Sequence, residues 1–298
     1  MKRLRQMAER IPFAAGNPSE IREALHRVQE ALGRIENRQL MSTEHDSIRE
    51  YEFRVFSQWG EDGIIQFLVR NVGIRRTTFV EFGVENYVES NTRFLLVHNN
   101  WSGLVIDSNE NHIRYIRRDP LFWKHDLKAV CELVHAENIN KILADNGTTG
   151  DIGLLSIDVD GNDYWIWEAI DVATPAIVVI EYNHRFGPER AVTIPYDRNF
   201  LRGKEHFPNI YYGASLRALC LLGNRKGYAF VGCNSAGNNA FFVRKDVKPD
   251  CIKEVTVETG FVAGRFREAR DKNGQLLYLS GEEERMILSS LPLQEVEQ

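Results

Sequence analysis

Between residues 77 and 244 the sequence alternates short apolar runs with helix-length amphipathic patterns, and few architectures accommodate that alternation. The runs are TTFVEF (77–82), GLVID (103–107), a less defined stretch within 121–134, GLLSID (153–158), AIVVIEY (176–182), YAFVGC (228–233) and NAFFVR (239–244). Continuous runs rich in Val and Ile suit strands covered on both faces. Helical patterns over 62–71, 90–99, 109–118, 135–144, 163–170 and 213–226 fall between them. The spacing predicts an open, mostly parallel α/β sheet. Only Asn234 to Asn238, with Gly237, separate the last two runs, which predicts a terminal antiparallel hairpin.

The rest of the chain divides around this core. Residues 1–46 form an N-terminal segment, 47–245 the α/β domain, and 246–298 a polar extension expected to fold over it, with a turn at KNGQ. In the N-terminal segment Asn17 is expected to cap a helix with Pro18 in its first turn. Ile21, Leu25, Val28, Leu32 and Ile35 then recur at heptad spacing. Two readings stand: an amphipathic helix packed on its own domain, or a short coiled coil joining subunits into a homo-oligomer. The stretch 183–212 is irregular, and a loop that long usually binds something or closes over a site.

Composition excludes several classes. Hydrophobic residues are 43% and charged residues 27%, as in ordinary globular proteins. The 37 Lys and Arg against 42 Asp and Glu leave a net charge of -5, which disfavours non-specific nucleic-acid binding. No apolar run approaches the about 18 residues of a transmembrane helix, and the basic N-terminus lacks the apolar stretch of a secretory signal. A cytoplasmic protein is expected. Cys131, Cys220, Cys233 and Cys251 fit no zinc spacing and are expected to be buried free thiols.

Ligands of such sheets bind beyond the carboxyl ends of the strands. There the sequence places Glu81 and Gly83, then Asp107, then Asp158, Asp160 and Asp163, then Glu181, Asn183 and His184. Gly83 would let a ligand approach the backbone. Asp107, at the end of the next strand, can accept the hydroxyls of a ribose. No pyrophosphate-binding glycine turn and no P-loop is present. A nucleoside cofactor without pyrophosphate points to S-adenosylmethionine rather than NAD or ATP.

The segments SQWGEDGIIQFL, VEFGVENYVESNTRFLLVHNNWSGLVID, LLSIDVDGNDYWIW, VVIEYN and YYGASLRAL…NAFFVR resemble the FkbM-type branch of the class I S-adenosylmethionine-dependent methyltransferases. The resemblance spans residues 57–245, roughly two thirds of the chain. It implies a Rossmann-like, seven-stranded sheet in the order three-two-one-four-five-seven-six. It also implies that Glu81 and Gly83 hold the methionine end of the cofactor and Asp107 the ribose, with Asp158 beside them. Where the family usually has a second glycine, this chain has Tyr87. For the adenine, Asp126 and the pair Val134-His135 compete.

Asp160-Gly161-Asn162-Asp163 is similar to the D-G-S-H run of metal-dependent sugar O-methyltransferases. That likeness implies a Mg²⁺ ligated by Asp160, Glu181 and Asn183, with Asp163 or His184 as the base. Oxygen ligands suit such a hard cation. A turn with a helix cap, or base catalysis without metal, would use the same residues. The implied reaction is O-methylation of a hydroxyl on a sugar, in a glycan or natural-product pathway, with a small-molecule or glycan acceptor. The rival is a methyltransferase-like assembly module without catalysis. Phe186, Tyr196, Phe200, Tyr211 and Tyr212 in the irregular stretch offer a platform for a sugar. Arg185, Arg190, Arg198 and Arg202 there offer a grip for a phosphate or carboxylate.

Overall fold

The computed structural model describes residues 18–297. Seven strands form one sheet: β1 (Thr78–Phe82), β2 (Ser102–Asp107), β3 (Leu127–Cys131), β4 (Gly150–Ile157), β5 (Ala173–Glu181), β7 (Tyr228–Cys233) and β8 (Asn239–Arg244). The two-residue strands β6 (Val192–Thr193) and β9 (Gln294–Glu295) pair separately. The large sheet runs β3-β2-β1-β4-β5-β8-β7, parallel except for β8, which lies antiparallel to both β5 and β7. This is the Rossmann-like order that the family resemblance implied, with β8 and β7 as its seventh and sixth strands. The seven anticipated runs all become strands, and the six helical patterns all become helices.

Alternation along each strand builds two cores. Val80, Leu155, Val178 and Ile180 face one side, against Trp167, Leu219 and Leu222. Phe79, Leu154, Ile177 and Val179 face the other, against Ile64, Leu68 and Leu95. Strand β3 lies at the sheet edge with only every second residue well covered, which is why it shows no continuous apolar run. The β7–β8 turn is held by Asn234, whose Oδ1 accepts the backbone N–H of Gly237, Asn238 and Asn239.

The irregular stretch and the C-terminal extension share a third core, in which Phe186, Ile194, Ile210 and Tyr211 pack with Ala269 and Leu288. Strand β9 pairs with β6, and the Tyr211 hydroxyl donates to the Pro292 carbonyl. The expected KNGQ turn forms, with Asp271 accepting the N–H of Asn273 and Gln275. The extension therefore covers 183–212, and Glu268 is carried to the edge of the site.

The expected N-terminal helix spans Pro18–Leu40, while its anticipated cap Asn17 lies outside the described residues. It docks through small and polar residues. His26 meets the Phe56 ring edge-on, Gln29 donates to the Val55 carbonyl, and Asn37 donates to Gln66. A Cβ on Gly33 would come 2.3 Å from a Val55 methyl, so only glycine permits this approach. The heptad residues point outward and are 49–61% exposed. The helix thus packs on its own domain and still leaves its apolar seam uncovered.

The expectation of buried thiols holds only in part. All four cysteines are free, but Cys131 and Cys251 are exposed and Cys220 is half-buried, because Cys131 ends the edge strand and Cys251 sits in a surface turn. Among the described residues no helix is long and apolar enough to cross a membrane.

Candidate functional site

The carboxyl ends of β1, β2, β4 and β5 open into a cavity of 540 Å³. That volume lies within the range of small-molecule sites. Nine acidic residues line it against two arginines, Arg198 and Arg202.

At the β1 end, Glu81 is buried and fully engaged. Its carboxylate accepts from Ser90 Oγ at 2.6 Å, Asn91 N at 2.8 Å, Thr92 N at 3.1 Å and Thr92 Oγ1 at 2.5 Å. Burial raises its pKa, and these donors oppose that shift. Glu81 thus holds the loop that forms this wall. Gly83 has φ +70°, and a Cβ there would stand 1.7 Å from the Asp158 carbonyl oxygen. The neighbouring loop alone already requires a glycine here, and Gly83 lines the cavity as well. Tyr87, at the family's second glycine position, also adopts a left-handed φ of 62° and lies buried, with its hydroxyl 3.0 Å from Thr92 Oγ1.

At the β2 end, Asp107 Oδ1 accepts from Asn109 N and lies 3.1 Å from His112 Nδ1, while Oδ2 accepts from Glu85 N. An ionised carboxylate has about four acceptor positions. One therefore stays open on the cavity wall. Leu133 and Val134 line the same end, with Leu133 45% exposed. Asp126 does not line the cavity, and His135 turns to Glu137 at 2.7 Å.

Beyond β4 and β5, carboxylate oxygens of Asp158, Asp160 and Glu181 all lie within 4.8 Å of one another. Glu181 is buried, and its Oε2 has no hydrogen-bond partner. Burial and repulsion from Asp158 push the Glu181 pKa well up, and burial and repulsion from Asp160 and Asp163 do the same to Asp158. Asp160 adopts a left-handed φ of 56° and projects outward to Arg202. The Arg202 guanidinium donates to Asp160 Oδ1 at 2.6 Å and to Glu268 Oε2 at 2.7 Å, and lies 3.6 Å over the Tyr212 ring. One guanidinium thus faces four carboxylates. The surplus negative charge and the orphaned Glu181 oxygen fit a hard cation bound through oxygen, with Asp158 in the ligand set in place of Asn183.

Three anticipated residues do not join this cluster. Asp163 is fully buried and caps the β4 loop, Oδ1 accepting from Val159 N and Oδ2 from Gly161 N. Burial pushes its pKa up to about 6 against those two bonds. Asn183 Nδ2 donates to the Ile210 and Tyr212 carbonyls and its Oδ1 accepts from Arg185 N, so it braces the irregular stretch and does not line the cavity. His184 starts a 3-10 turn that carries its ring to a different cavity, against Phe266. Burial first, then Arg185, push its pKa down to about 3. The aromatic platform is also reduced. Phe186, Tyr211 and Tyr212 are buried, and of the five only Phe200 lines the cavity.

The cavity wall includes residues that the sequence did not mark for it. Glu268 comes from the C-terminal extension, and Asn238 and Asn239 from the hairpin. Asn239 Nδ2 donates to Glu61, which fixes the hairpin to the helix Glu61–Asn71. Arg202 was anticipated only as a grip for an anion.

No family model matches this sequence, and no curated protein sequence does either. Several solved structures are similar at low identity. The N-terminal domain of EvdMO1 with SAH bound matches over 74% of this chain and 94% of that one, at 10% identity and a TM-score of 0.42. An S-adenosylmethionine-dependent methyltransferase from Clostridium acetobutylicum matches over 61% and 89%, at 10% identity and 0.39. A putative O-methyltransferase from Klebsiella pneumoniae matches over 77% and 90%, at 13% identity and 0.39. At these identities and scores the reading of the site rests on its own geometry.

Proposed function

We propose that the chain is an S-adenosylmethionine-dependent O-methyltransferase acting on a hydroxyl of a neutral, polyol-like acceptor such as a sugar. The observation that carries this reading is a single cavity with the open carboxylate position of Asp107 at one end and the orphaned, buried Glu181 at the other. S-adenosylmethionine, when bound, supplies an electrophilic methyl on a sulfonium, a cation suited to walls this acidic.

In this reading Asp107 accepts a ribose hydroxyl and Leu133 and Val134 cover the adenine. Glu181 accepts the proton of the attacking hydroxyl, and Asp158 beside it raises the basicity of the pair. Asp158, Asp160 and Glu181 are also the residues that would hold Mg²⁺, which would lower the pKa of a substrate hydroxyl. Arg202 fixes Asp160 and Glu268 at the acceptor wall. A purely structural module has no need of carboxylates crowded at a cost in burial and repulsion, which weighs against the assembly-module reading.

The uncovered seam of the Pro18–Leu40 helix supports a second element of the proposal, a homo-oligomer in which two copies pair Ile21 to Ile35. The heptad spacing is that of a self-pairing coiled coil, and the helix already docks on its own domain through a different face. A thermal-shift titration with S-adenosylhomocysteine tests the main reading. Ligand at 100 times Kd adds about 2.7 kcal/mol of stability. A melting temperature unmoved at millimolar ligand contradicts it.

A further inference from the structure

A second cavity of 620 Å³ lies on the other side of the wall that contains Glu268. Its walls come from the 3-10 turn His184–Phe186 and the residues after it, from the irregular stretch 261–269, and from 277–285. Its charge is opposite to that of the first cavity. Five arginines line it, Arg185, Arg190, Arg265, Arg267 and Arg285, against two acids, Glu189 and Glu284. This in a chain of net charge -5 is a local concentration of cations, not a reflection of composition.

The arginines are not equivalent. Arg185 is buried and already neutralised by Glu268 at 3.3 Å and Glu284 at 3.1 Å. Arg190 pairs with Glu295, and Arg267 lies 4.7 Å over the Tyr278 ring. Arg265 and Arg285 are exposed and have no ion pair or hydrogen bond to any described residue. The cavity also contains Phe186, Phe261, Phe266, Leu277 and Leu279, so an apolar surface lies beside the free guanidinium groups. The inner wall carries His184 Nε2, which is buried without a partner. A Cβ on Gly264 would come 2.4 Å from that imidazole, so the glycine lets the segment close against it.

We infer that this cavity is a second ligand site, specific for a phosphate-bearing molecule, with Arg265 and Arg285 as the phosphate grip and the Phe and Leu surface receiving the body that carries it. Guanidinium groups match phosphate oxygens in a bidentate way. The acidic first cavity repels the same group, so the two cavities sort neutral and anionic ligands. The site is connected to the first one, because Arg185 on this side and Arg202 on the other donate to the same Glu268 Oε2. The inference stands on this cavity alone and is independent of methyl transfer.

Isothermal titration of the full-length protein with inorganic pyrophosphate and with uridine 5′-diphosphate, at low salt, tests it. One site per chain is expected, with affinity at least tenfold weaker in Arg265→Ala/Arg285→Ala. Arg114→Ala, on the helix Glu110–Arg118 and lining neither cavity, is expected to bind as the parent does. Tighter binding of the nucleotide than of pyrophosphate identifies an organic phosphate as the ligand, and equal binding identifies the bare phosphate group. Absence of binding, or binding that the double variant retains in full, overturns the proposal. Far-ultraviolet circular dichroism and the urea midpoint of the same variants show that they fold, which keeps this outcome separate from the fate of the methyltransferase reading.

Discussion

A Cβ on Gly83 would sit 1.7 Å from the carbonyl oxygen of Asp158, so the loop after β1 touches the loop after β4 with no room for any side chain. This contact joins the two halves of the acidic cavity. Gly83→Ala is expected to cost about 3 kcal/mol or more, since it combines a backbone clash with a left-handed φ. Urea denaturation checks it, and a loss under about 1 kcal/mol shows that the loops separate readily.

Arg202 occupies the place of a counter-cation by holding Asp160. Replacement by Gln frees that carboxylate. Mn²⁺ binding, followed by electron paramagnetic resonance, is expected to tighten by about tenfold in Arg202→Gln, equivalent to about 1.4 kcal/mol. If neither protein binds Mn²⁺, the metal part of the proposal fails and Glu181 acts as an unaided base.

Legibility from sequence followed burial. The central strands announced themselves because β1, β4 and β5 are covered on both faces, while half-exposed β3 blurred into its surroundings. The strand-end acids were visible for the same reason, since each follows a run whose end can be located. Which acid does what was not visible. Asp160 and Asp163 differ by three positions, yet one projects outward through a left-handed backbone and the other turns inward to cap the loop. Glu268 reaches the cavity from the extension, and no local pattern encodes a contact between segments so far apart in the chain. His184 shows the reverse error, being next to β5 in sequence and facing a different cavity.

The raised pKa values of Glu181 and Asp158 set a pH dependence. An acid with a raised pKa keeps its proton to higher pH, so turnover is lost as the pH falls through that raised value. The acidic limb of kcat/KM is expected above 4.5, the ordinary value for Glu. The same shift makes these groups stabilising at low pH and costs stability as the pH rises. A limb at or below 4.5 shows that neither carboxylate accepts the proton.

Charge placed in the exposed helix seam tests assembly without disturbing a core. Leu25→Glu/Leu32→Glu is expected to reduce the particle to a single chain by light scattering, with S-adenosylhomocysteine affinity unchanged. Both side chains are more than half exposed, so little folding penalty accompanies the change. An unaltered mass per particle removes the seam as the subunit contact.

The central claim is that the cavity beyond β1 and β2 binds S-adenosylmethionine through Asp107, and isothermal titration calorimetry with S-adenosylhomocysteine tests it most directly. The account predicts one site per chain in the wild type. It also predicts a loss of about 1–3 kcal/mol of binding in Asp107→Ala, from the missing acceptor and the unpaired ribose hydroxyls. A folded wild type that gives no binding heat and no competition with S-adenosylmethionine, or an Asp107→Ala variant that binds as tightly as the parent, contradicts it.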